Sequence, residues 1–192
     1  MHRDFVACRE KVFNRGRPPV AFLDELVDWG VAVPDEIFAP NNRMDIYSVV
    51  KDELGPWSNE LERRAAMLEV LRVLAGFESS WNWNEGVDTH NPNSNTACSE
   101  EAGILQCSGD SMNFDDSLKE LLRSVAGNTD CNTFRATTKA NHPFALEYCA
   151  RLLRFTVRHH GPVRDGHIQL WLRMDAMAEL LSFIRAERNV GS

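Results

Sequence analysis

The chain has 192 residues, the size of one compact domain, and its 43% hydrophobic and 26% charged residues are ordinary for a globular protein. Its 28 acidic residues outnumber 21 lysines and arginines, which gives a net charge of −7. This balance argues against a nucleic-acid-binding protein, because such binding rests on clustered basic residues. No apolar run approaches the roughly 20 residues that a membrane-spanning helix needs, so no membrane span is expected.

The first sixteen residues mix charged and apolar positions and lack the apolar core of a signal peptide. We therefore expect a protein that is made in the cytoplasm and is not exported by the Sec route. No repeat or linker interrupts the chain, so we predict one domain over 1–192. Within it, residues 1–55 are expected to form a helical extension and residues 56–192 the core.

In the extension, apolar residues at helical spacing predict an amphipathic helix that begins at Val20 and stops at Gly30. A second helix, capped by Asn41 or Asn42, is expected to end at Gly55.

The central helix of the core is expected to begin at Ser58 or Asn59, with acidic residues in its first turn. It is apolar around most of its circumference, which is typical of a buried helix. The pattern predicts that it ends at Gly76 and Phe77 and places Glu78 at its end.

A polar segment over 82–113 predicts a long loop with a small β-hairpin, and loops of this length are often functional. Three helices are expected beyond it, with a second polar loop over 128–141 between the first and the second. They run from Asp115 to a stop at Gly127, from Pro143 to a stop at Gly161-Pro162, and from Ile168 to Ile184.

Glu78 is the leading catalytic candidate, because it joins a strongly apolar helix to a polar loop that begins with Ser79 and Trp81. An apolar surrounding disfavours the charged form of a carboxyl group, which suits a general acid. The alternative is a solvated glutamate at a helix C-terminus, where its charge would meet the unfavourable end of the helix dipole.

A carboxyl group that acts as a general acid can work together with a second carboxylate. Asp88 and Glu101 are the preferred partners of Glu78, since Asp88 could face it across a hairpin and Glu101 adjoins an apolar segment. The other acidic residues of the loop are Glu85, Glu100 and Asp110.

Trp81 and Trp83 are two residues apart beside Glu78, and tryptophan faces stack on pyranose rings, although one or both could instead fill the core. Ser79 is expected to cap the helix or hydrogen-bond a carboxylate or substrate. It is not expected to act as a nucleophile, because no Gly-x-Ser-x-Gly elbow surrounds it.

Two segments together resemble the lysozyme-like superfamily, most closely the soluble lytic transglycosylases and goose-type lysozymes. They are 78–82, Glu-Ser-Ser-Trp-Asn, and 102–106, Ala-Gly-Ile-Leu-Gln. The resemblance covers about residues 60–125. It implies a mainly α fold of the α+β lysozyme-like type: a helical bundle around a central buried helix, with a small hairpin and loop subdomain forming the cleft.

The resemblance also implies a peptidoglycan glycosidase, either a muramidase or a lytic transglycosylase. Glu78 would protonate the β-1,4 bond between N-acetylmuramic acid and N-acetylglucosamine. Gln106 would bind sugar or acetamido groups, and Tyr148 would be the cleft tyrosine. The sequence departs from the family at Ser108, where the goose-type pattern has aspartate, and at Glu101, where a small residue is usual.

Two other functional classes remain open. One is a glycan- or protein-binding module without catalysis, and the other is a chitinase- or chitosanase-type hydrolase, whose cationic substrate would suit an acidic protein. For the leading interpretation the partners are glycan strands, together with an immunity or secretion-apparatus protein if the chain is an antibacterial effector of a type VI or contact-dependent system. A phage endolysin is the other possibility. Either would act in a periplasm or on the cell wall.

Five cysteines leave at least one thiol unpaired. Cys98 and Cys107 could form a disulfide across the loop and Cys131 could pair with Cys149; alternatively all, including Cys8, are buried reduced thiols. No Cys-x-x-Cys pair is present, so a structural zinc site is not expected.

The histidines suggest a further alternative, a metal site or a dyad of Cys149 with His142 or the adjacent pair His159 and His160. No His-Glu-x-x-His motif accompanies them. We therefore predict neither a metal nor a cofactor.

Overall fold

The computed structural model describes residues 3–87, 92 and 94–190. The fold is mainly helical with one small antiparallel sheet, which confirms the predicted mainly α class. The α-helices of the described residues are α1 (Val20–Ala32), α2 (Ile46–Val49), α3 (Lys51–Leu54), α4 (Glu60–Ser79), α5 (Asp116–Ala126), α6 (Cys131–Ala140), α7 (His142–Phe155), α8 (Gly161–Arg164) and α9 (Met174–Val190). Strands β1 (Glu101–Ala102) and β2 (Cys107–Ser108) form the sheet, and 3-10 turns span Ala7–Arg9, Asp35–Ile37, Gly109–Phe114 and Ile168–Trp171.

Helix α4 is the buried centre of the fold. It begins as predicted, because the Asn59 side chain accepts a hydrogen bond from the Glu62 backbone N–H at 3.0 Å, and Glu62 accepts one from the Ser58 N–H at 2.6 Å. This reciprocal capping satisfies donors that a helix start leaves free. Every residue from Arg64 to Gly76 is buried, with α1, α7 and α9 packed around the helix.

The prediction that Gly30 stops α1 is wrong. The helix continues to Ala32, and Gly30 is buried inside it. A Cβ atom at Gly30 would lie 2.6 Å from Cδ2 of Leu68 on α4, closer than real Cβ contacts allow. The glycine therefore allows α1 and α4 to pack closely. This role depends on a residue distant in sequence, so the residues next to Gly30 do not indicate it.

The predicted cap at Asn41 or Asn42 is also wrong. The next helix, α2, begins four residues later, and Asp45 caps it by accepting a hydrogen bond from the Tyr47 N–H at 3.0 Å. The predicted end before Gly55 is confirmed, since α3 ends at Leu54.

The predicted polar loop over 128–141 contains α6 instead. Asp130 caps this helix, and only Phe134 and Thr138 are buried along it. Because the core-facing side is so narrow, the composition of the segment is that of a loop. The preceding helix is as predicted, ending at Gly127 in a left-handed conformation with φ of 77°.

Gly161-Pro162 does not end the helix that begins near Pro143. Helix α7 ends at Phe155, where the backbone becomes extended at Thr156, and Gly161-Pro162 opens the short helix α8. Proline suits this position because a first helical turn needs no N–H donor there. The predicted last helix from Ile168 is likewise divided, into a 3-10 turn and α9.

Residues on both sides of the predicted boundary after residue 55 share one hydrophobic cluster, from Phe5 to Ile184. Three buried arginines form ion pairs that connect residues 1–55 to the rest of the fold. Arg3 pairs with Glu187, Arg64 with Asp35, and Arg154 with Asp45; these residues lie on separate elements of the fold.

A disulfide joins Cys98 to Cys131, so the predicted pairings of Cys98 with Cys107 and of Cys131 with Cys149 are wrong. It fastens the loop before β1 to the first turn of α6. Cys8, Cys107 and Cys149 are free and buried.

Among the described residues, we find no helix that is both long and apolar enough to cross a membrane.

Candidate functional site

Glu78 lies in the last turn of α4, with 18% of its side chain exposed. Its Oε1 atom is shielded from solvent and accepts no aligned hydrogen bond from the residues that the structure describes. The imidazole of His160 lies beside it, with its Nδ1 atom 3.3 Å from Oε1. The contact is close enough for an ion pair, but the N–H is not directed at the oxygen, so we treat it as electrostatic.

The backbone after Glu78 is unusual. Ser80 and Trp81 have φ angles of 53° and 61°, in the left-handed region that non-glycine residues rarely adopt. Gln106, in the second motif segment, has φ of 44°. Such conformations are energetically costly and cluster at functional sites, where the surrounding structure maintains them.

The two motif segments meet in the structure. The Ser79 hydroxyl donates a hydrogen bond to the Ile104 carbonyl at 2.7 Å, and the Gly103 N–H donates to the Glu85 carbonyl at 3.1 Å. Residues 103–106 form the tight connection between β1 and β2, in which Ala102 pairs with Cys107. Hydrogen bonds to two backbone carbonyls therefore connect the hairpin to the end of α4 and to the loop that follows it.

Gly103 is required at this connection for two reasons. Its φ is 72°, and a Cβ atom would lie 2.9 Å from Cγ2 of Thr138 on α6. The glycine of the sequence motif thus permits both the turn and the packing of α6 behind it.

His160 extends the site beyond the motif segments. It precedes α8, is buried, and faces Glu78 through Nδ1. On the other side of its ring, Nε2 lies 3.5 Å from Sγ of Cys149 and 3.9 Å from Sγ of Cys107. Of the histidines considered from the sequence, His160 is the one that the fold brings to Cys149, whereas His142 stacks on Trp83.

The imidazole and the thiols perturb one another. Burial lowers the pKa of His160, but its contacts with Cys107 and Glu78 outweigh burial and raise the pKa from 6.5 to about 10. A hydrogen bond with Cys149 is the main cause that lowers the pKa of Cys107 from 9.0 to about 6. Burial raises the pKa of Cys149 well above its ordinary value. The two sulfurs are therefore inequivalent: the surroundings favour the thiolate form at Cys107 and the neutral thiol at Cys149.

His159 differs from its neighbour. Burial, and then the nearby charge of His160, lower its pKa to about 3, so its imidazole is neutral. Its Nε2 atom is buried and has no hydrogen-bond partner within the described part of the chain.

Two predicted binding residues are enclosed in the protein. The Gln106 side-chain N–H donates to the Gly103 carbonyl at 2.9 Å, and only 6% of the residue is exposed. The Tyr148 hydroxyl lies 2.7 Å from Oγ of Ser111, and 1% of this residue is exposed. In this conformation both support the hairpin and the helices behind it rather than lining an open surface.

The tryptophans next to Glu78 also have protein partners. Trp81 is buried; its indole N–H donates to the Arg72 carbonyl at 2.9 Å, and its ring covers Gly76. Trp83 stacks on His142 with ring centroids 3.8 Å apart. One face of Trp83 is therefore occupied by a protein ring.

The candidate second carboxylates are dispersed. Glu101 lies on β1 and is half-buried. Glu100 forms an ion pair with Arg135, and Asp110 is exposed. Asp88 lies outside the described residues.

Sequence reasoning missed an aromatic cluster at the end of α4. Phe77, the residue before Glu78, stacks on Phe13 with centroids 5.7 Å apart, and Phe13 meets Trp171 edge-on at 5.8 Å. Phe13 is 46% exposed and has φ of 46°. Its segment has no helical periodicity, so a local pattern gives no sign that it returns to the end of α4.

Chemically, the arrangement offers a partly exposed carboxyl group, an imidazole behind it and two sulfurs deeper in the protein. Cys107 and Cys149 are 1% and 0% exposed, so neither sulfur can reach a bulky substrate as a nucleophile. Glu78 is the reactive group of this cluster that a solvent-borne substrate can contact.

No protein-family model, curated protein or solved structure matches the chain. The resemblance to the lysozyme-like superfamily therefore rests on the two segments alone and stays a prediction.

Proposed function

We propose that this chain is a peptidoglycan glycosidase in which Glu78 is the general acid. The observation that carries the proposal is the junction of the two motif segments: Ser79 bonds to Ile104, which holds Glu78 at the end of a buried helix beside the hairpin. A helical bundle with a hairpin at its side is the arrangement that the lysozyme-like resemblance implies.

Glu78 suits the role of a proton donor. One oxygen is shielded and has no aligned donor among the residues described, while part of the side chain meets solvent. Its carboxyl group would protonate the oxygen of the β-1,4 bond as that bond breaks, and proton transfer of this kind contributes about 10²- to 10⁴-fold to rate.

The substrate would lie against the exposed side of Glu78. Phe13 and Phe77, which stack on each other at the end of the same helix and are not fully buried, would supply an aromatic face for a pyranose ring. The buried Gln106, Tyr148 and Trp81 would then act by fixing the position of the acid and the hairpin.

The second step can follow two routes. With a second carboxylate, supplied by Glu101 or Asp88, water would complete hydrolysis. Without one, Glu78 would act first as acid and then as base, and the sugar would close into a 1,6-anhydro product, as the resemblance to lytic transglycosylases implies.

The test compares Glu78→Gln with wild type on purified sacculi. We expect turnover to fall by about 10²- to 10⁴-fold without loss of folding. Glu120→Gln is the matched control, because Glu120 is an exposed glutamate on α5 that pairs with Arg123. If a folded Glu78→Gln protein digests sacculi at the wild-type rate, the assignment of Glu78 is wrong.

Product analysis separates the remaining alternatives. Reducing ends identify a hydrolase and 1,6-anhydro ends a lytic transglycosylase, and Asp88→Asn and Glu101→Gln show which carboxylate, if either, assists. Chitosan and chitin are run in parallel. Cleavage confined to those polymers would indicate the chitinase or chitosanase alternative, and sacculus binding without cleavage a binding module.

A further inference from the structure

Three side chains of metal-ligand type meet behind Glu78. The Sγ atoms of Cys107 and Cys149 and a ring nitrogen of His160 all lie within 4.8 Å of one another. The three residues are 1%, 0% and 3% exposed. Glycoside cleavage by Glu78 gives the two sulfurs no role, so their convergence calls for a separate explanation.

The spacing of these atoms fits a tetrahedral zinc ion. With Zn–S of about 2.3 Å and Zn–N of about 2.0–2.1 Å, a tetrahedral angle places sulfur and nitrogen about 3.6 Å apart. The Nε2 atom of His160 is 3.5 Å from the sulfur of Cys149 and 3.9 Å from that of Cys107. An ion can therefore be placed between the three donors with only small movements of their side chains.

The other side of the imidazole supports the same conclusion. A histidine that binds metal through one ring nitrogen usually donates its other N–H to a carboxylate, which fixes its tautomer and orientation. Here the second ring nitrogen of His160 faces Oε1 of Glu78 at 3.3 Å. Glu78 lies on the far side of the ring from the sulfurs, so it would support the ligand rather than bind the ion.

Charge balance also favours zinc. Two thiolates and one neutral imidazole around Zn²⁺ carry no net charge, whereas an isolated buried charge is costly. Thiolate and imidazole are donors that Zn²⁺ prefers, while Mg²⁺ and Ca²⁺ prefer oxygen. In the described part of the chain the cluster has three such donors, which leaves the fourth position for water.

We propose that Cys107, Cys149 and His160 bind one Zn²⁺ ion, with the Glu78 carboxyl group facing the ring nitrogen of His160 that does not bind the metal. The ion would join strand β2, helix α7 and the start of α8. It would thereby fix the imidazole against which the carboxyl group of Glu78 rests. The zinc site does not depend on the proposed glycosidase activity and can be tested without it.

The first experiment uses the full chain, purified without chelators and dialysed against metal-free buffer. Mass spectrometry of the metal content is expected to find about one zinc per chain. Cobalt titrated into chelator-treated protein is expected to give thiolate-to-cobalt charge-transfer and tetrahedral d–d absorption. A folded wild-type protein that retains no zinc and gives no such spectrum would overturn the proposal.

Variants locate the site. Cys149→Ser and His160→Ala are expected to lose the zinc, while Cys8→Ser, which alters a free buried cysteine outside the cluster, retains it. Glu78→Gln is expected to keep the ligands but weaken zinc affinity by about 10- to 100-fold in competition with a chelator. Loss of the metal from Cys8→Ser but not from Cys149→Ser would contradict the assignment.

Thiol counting distinguishes zinc from oxidation. In denaturant with a chelator, the proposal expects three reactive thiols, from Cys8, Cys107 and Cys149, beside the disulfide. A count of one would show that Cys107 and Cys149 are joined as a second disulfide, which excludes the zinc site. These experiments measure metal content, absorption spectra and thiol number, and none of them requires glycosidase activity. The zinc site can therefore be confirmed in a protein that does not cleave glycans, and it can be refuted in one that does.

Discussion

Two glutamates nine positions apart on α4 have opposite surroundings. Glu69 is fully buried and has its partners in place: Arg72 donates two hydrogen bonds at 2.6 and 2.7 Å, and the Arg173 N–H donates a third at 2.9 Å. Glu78 is partly exposed, and no residue in the described ranges donates an aligned hydrogen bond to its shielded oxygen.

The difference separates a structural carboxylate from a reactive one. Hydrogen-bonded and paired on all sides, Glu69 has no capacity left for a substrate, and its arginine also donates to the Cys8 carbonyl at 3.3 Å. The surroundings of Glu78 are incomplete, and buried polar groups without partners cost stability unless something else uses them. An incomplete network, rather than burial alone, distinguishes the candidate active residue.

The largest expected effect is on stability at Glu69. Glu69→Ala leaves Arg72 buried without its partner, which should lower the free energy of unfolding by about 3–5 kcal/mol. Glu78→Ala should change it by less than about 1 kcal/mol, because among the described residues its shielded oxygen has only an unaligned contact with His160 to lose. Urea unfolding of the two variants at pH 7 measures both values. Equal losses would remove the distinction drawn between the two glutamates.

A smaller loss of stability is expected from a substitution at the contact between the two motif segments. Ser79→Ala removes the donor to the Ile104 carbonyl and leaves that buried group unpaired, at a cost of about 1–3 kcal/mol. Ser182→Ala is the matched control, since Ser182 donates to a backbone carbonyl on an exposed part of α9. Hydrogen exchange should increase in the hairpin for Ser79→Ala alone. Unchanged exchange there would mean that other contacts hold the two segments together.

Glu179 provides an intermediate case, because neutral backbone donors rather than an arginine satisfy it. Burial opposes its charge, but hydrogen bonds from the Cys8 and Val6 N–H groups outweigh burial and lower its pKa below 4.5. A depressed carboxyl pKa stabilises the fold above about pH 4.5, and this contribution is lost as the pH falls through the folded-state value.

Glu179→Gln should therefore cost about 1 kcal/mol at pH 7 and progressively less toward pH 3. Chemical denaturation of wild type and variant across this range gives the measurement. A difference that grows on acidification would show that the charge of Glu179 does not hold residues 6–8 against α9.

Local signals in the sequence predicted the start and the burial of α4, although the helix ends at Ser79 and not, as predicted, at Gly76 and Phe77. The reciprocal cap of Ser58, Asn59 and Glu62 and the apolar circumference of α4 lie within a few residues of each other, so a single segment defines the helix. Gly127 likewise predicted the end of α5, because a glycine in the left-handed conformation ends the helix locally. In these places the physical cause of the structure is contained in the segment itself.

What the sequence did not predict depends on distant partners. Gly30 resembles a helix stop, but its role is set by Leu68. The ligand cluster is drawn from β2, α7 and the start of α8, with Cys107 and His160 separated by 53 positions, and no spacing rule connects them. Glu78 itself was identifiable, whereas the imidazole behind it depends on the turn before α8.

The disulfide between Cys98 and Cys131 has a consequence for the unfolded chain. The two residues are 33 positions apart and enclose the hairpin and α5. Closing a loop of this length removes conformational entropy from the unfolded ensemble, worth about 4 kcal/mol in the chain-entropy model. The same chain would thus be considerably less stable in a reducing compartment than in an oxidising one, so the redox state of its surroundings sets how firmly the hairpin beside Glu78 is held.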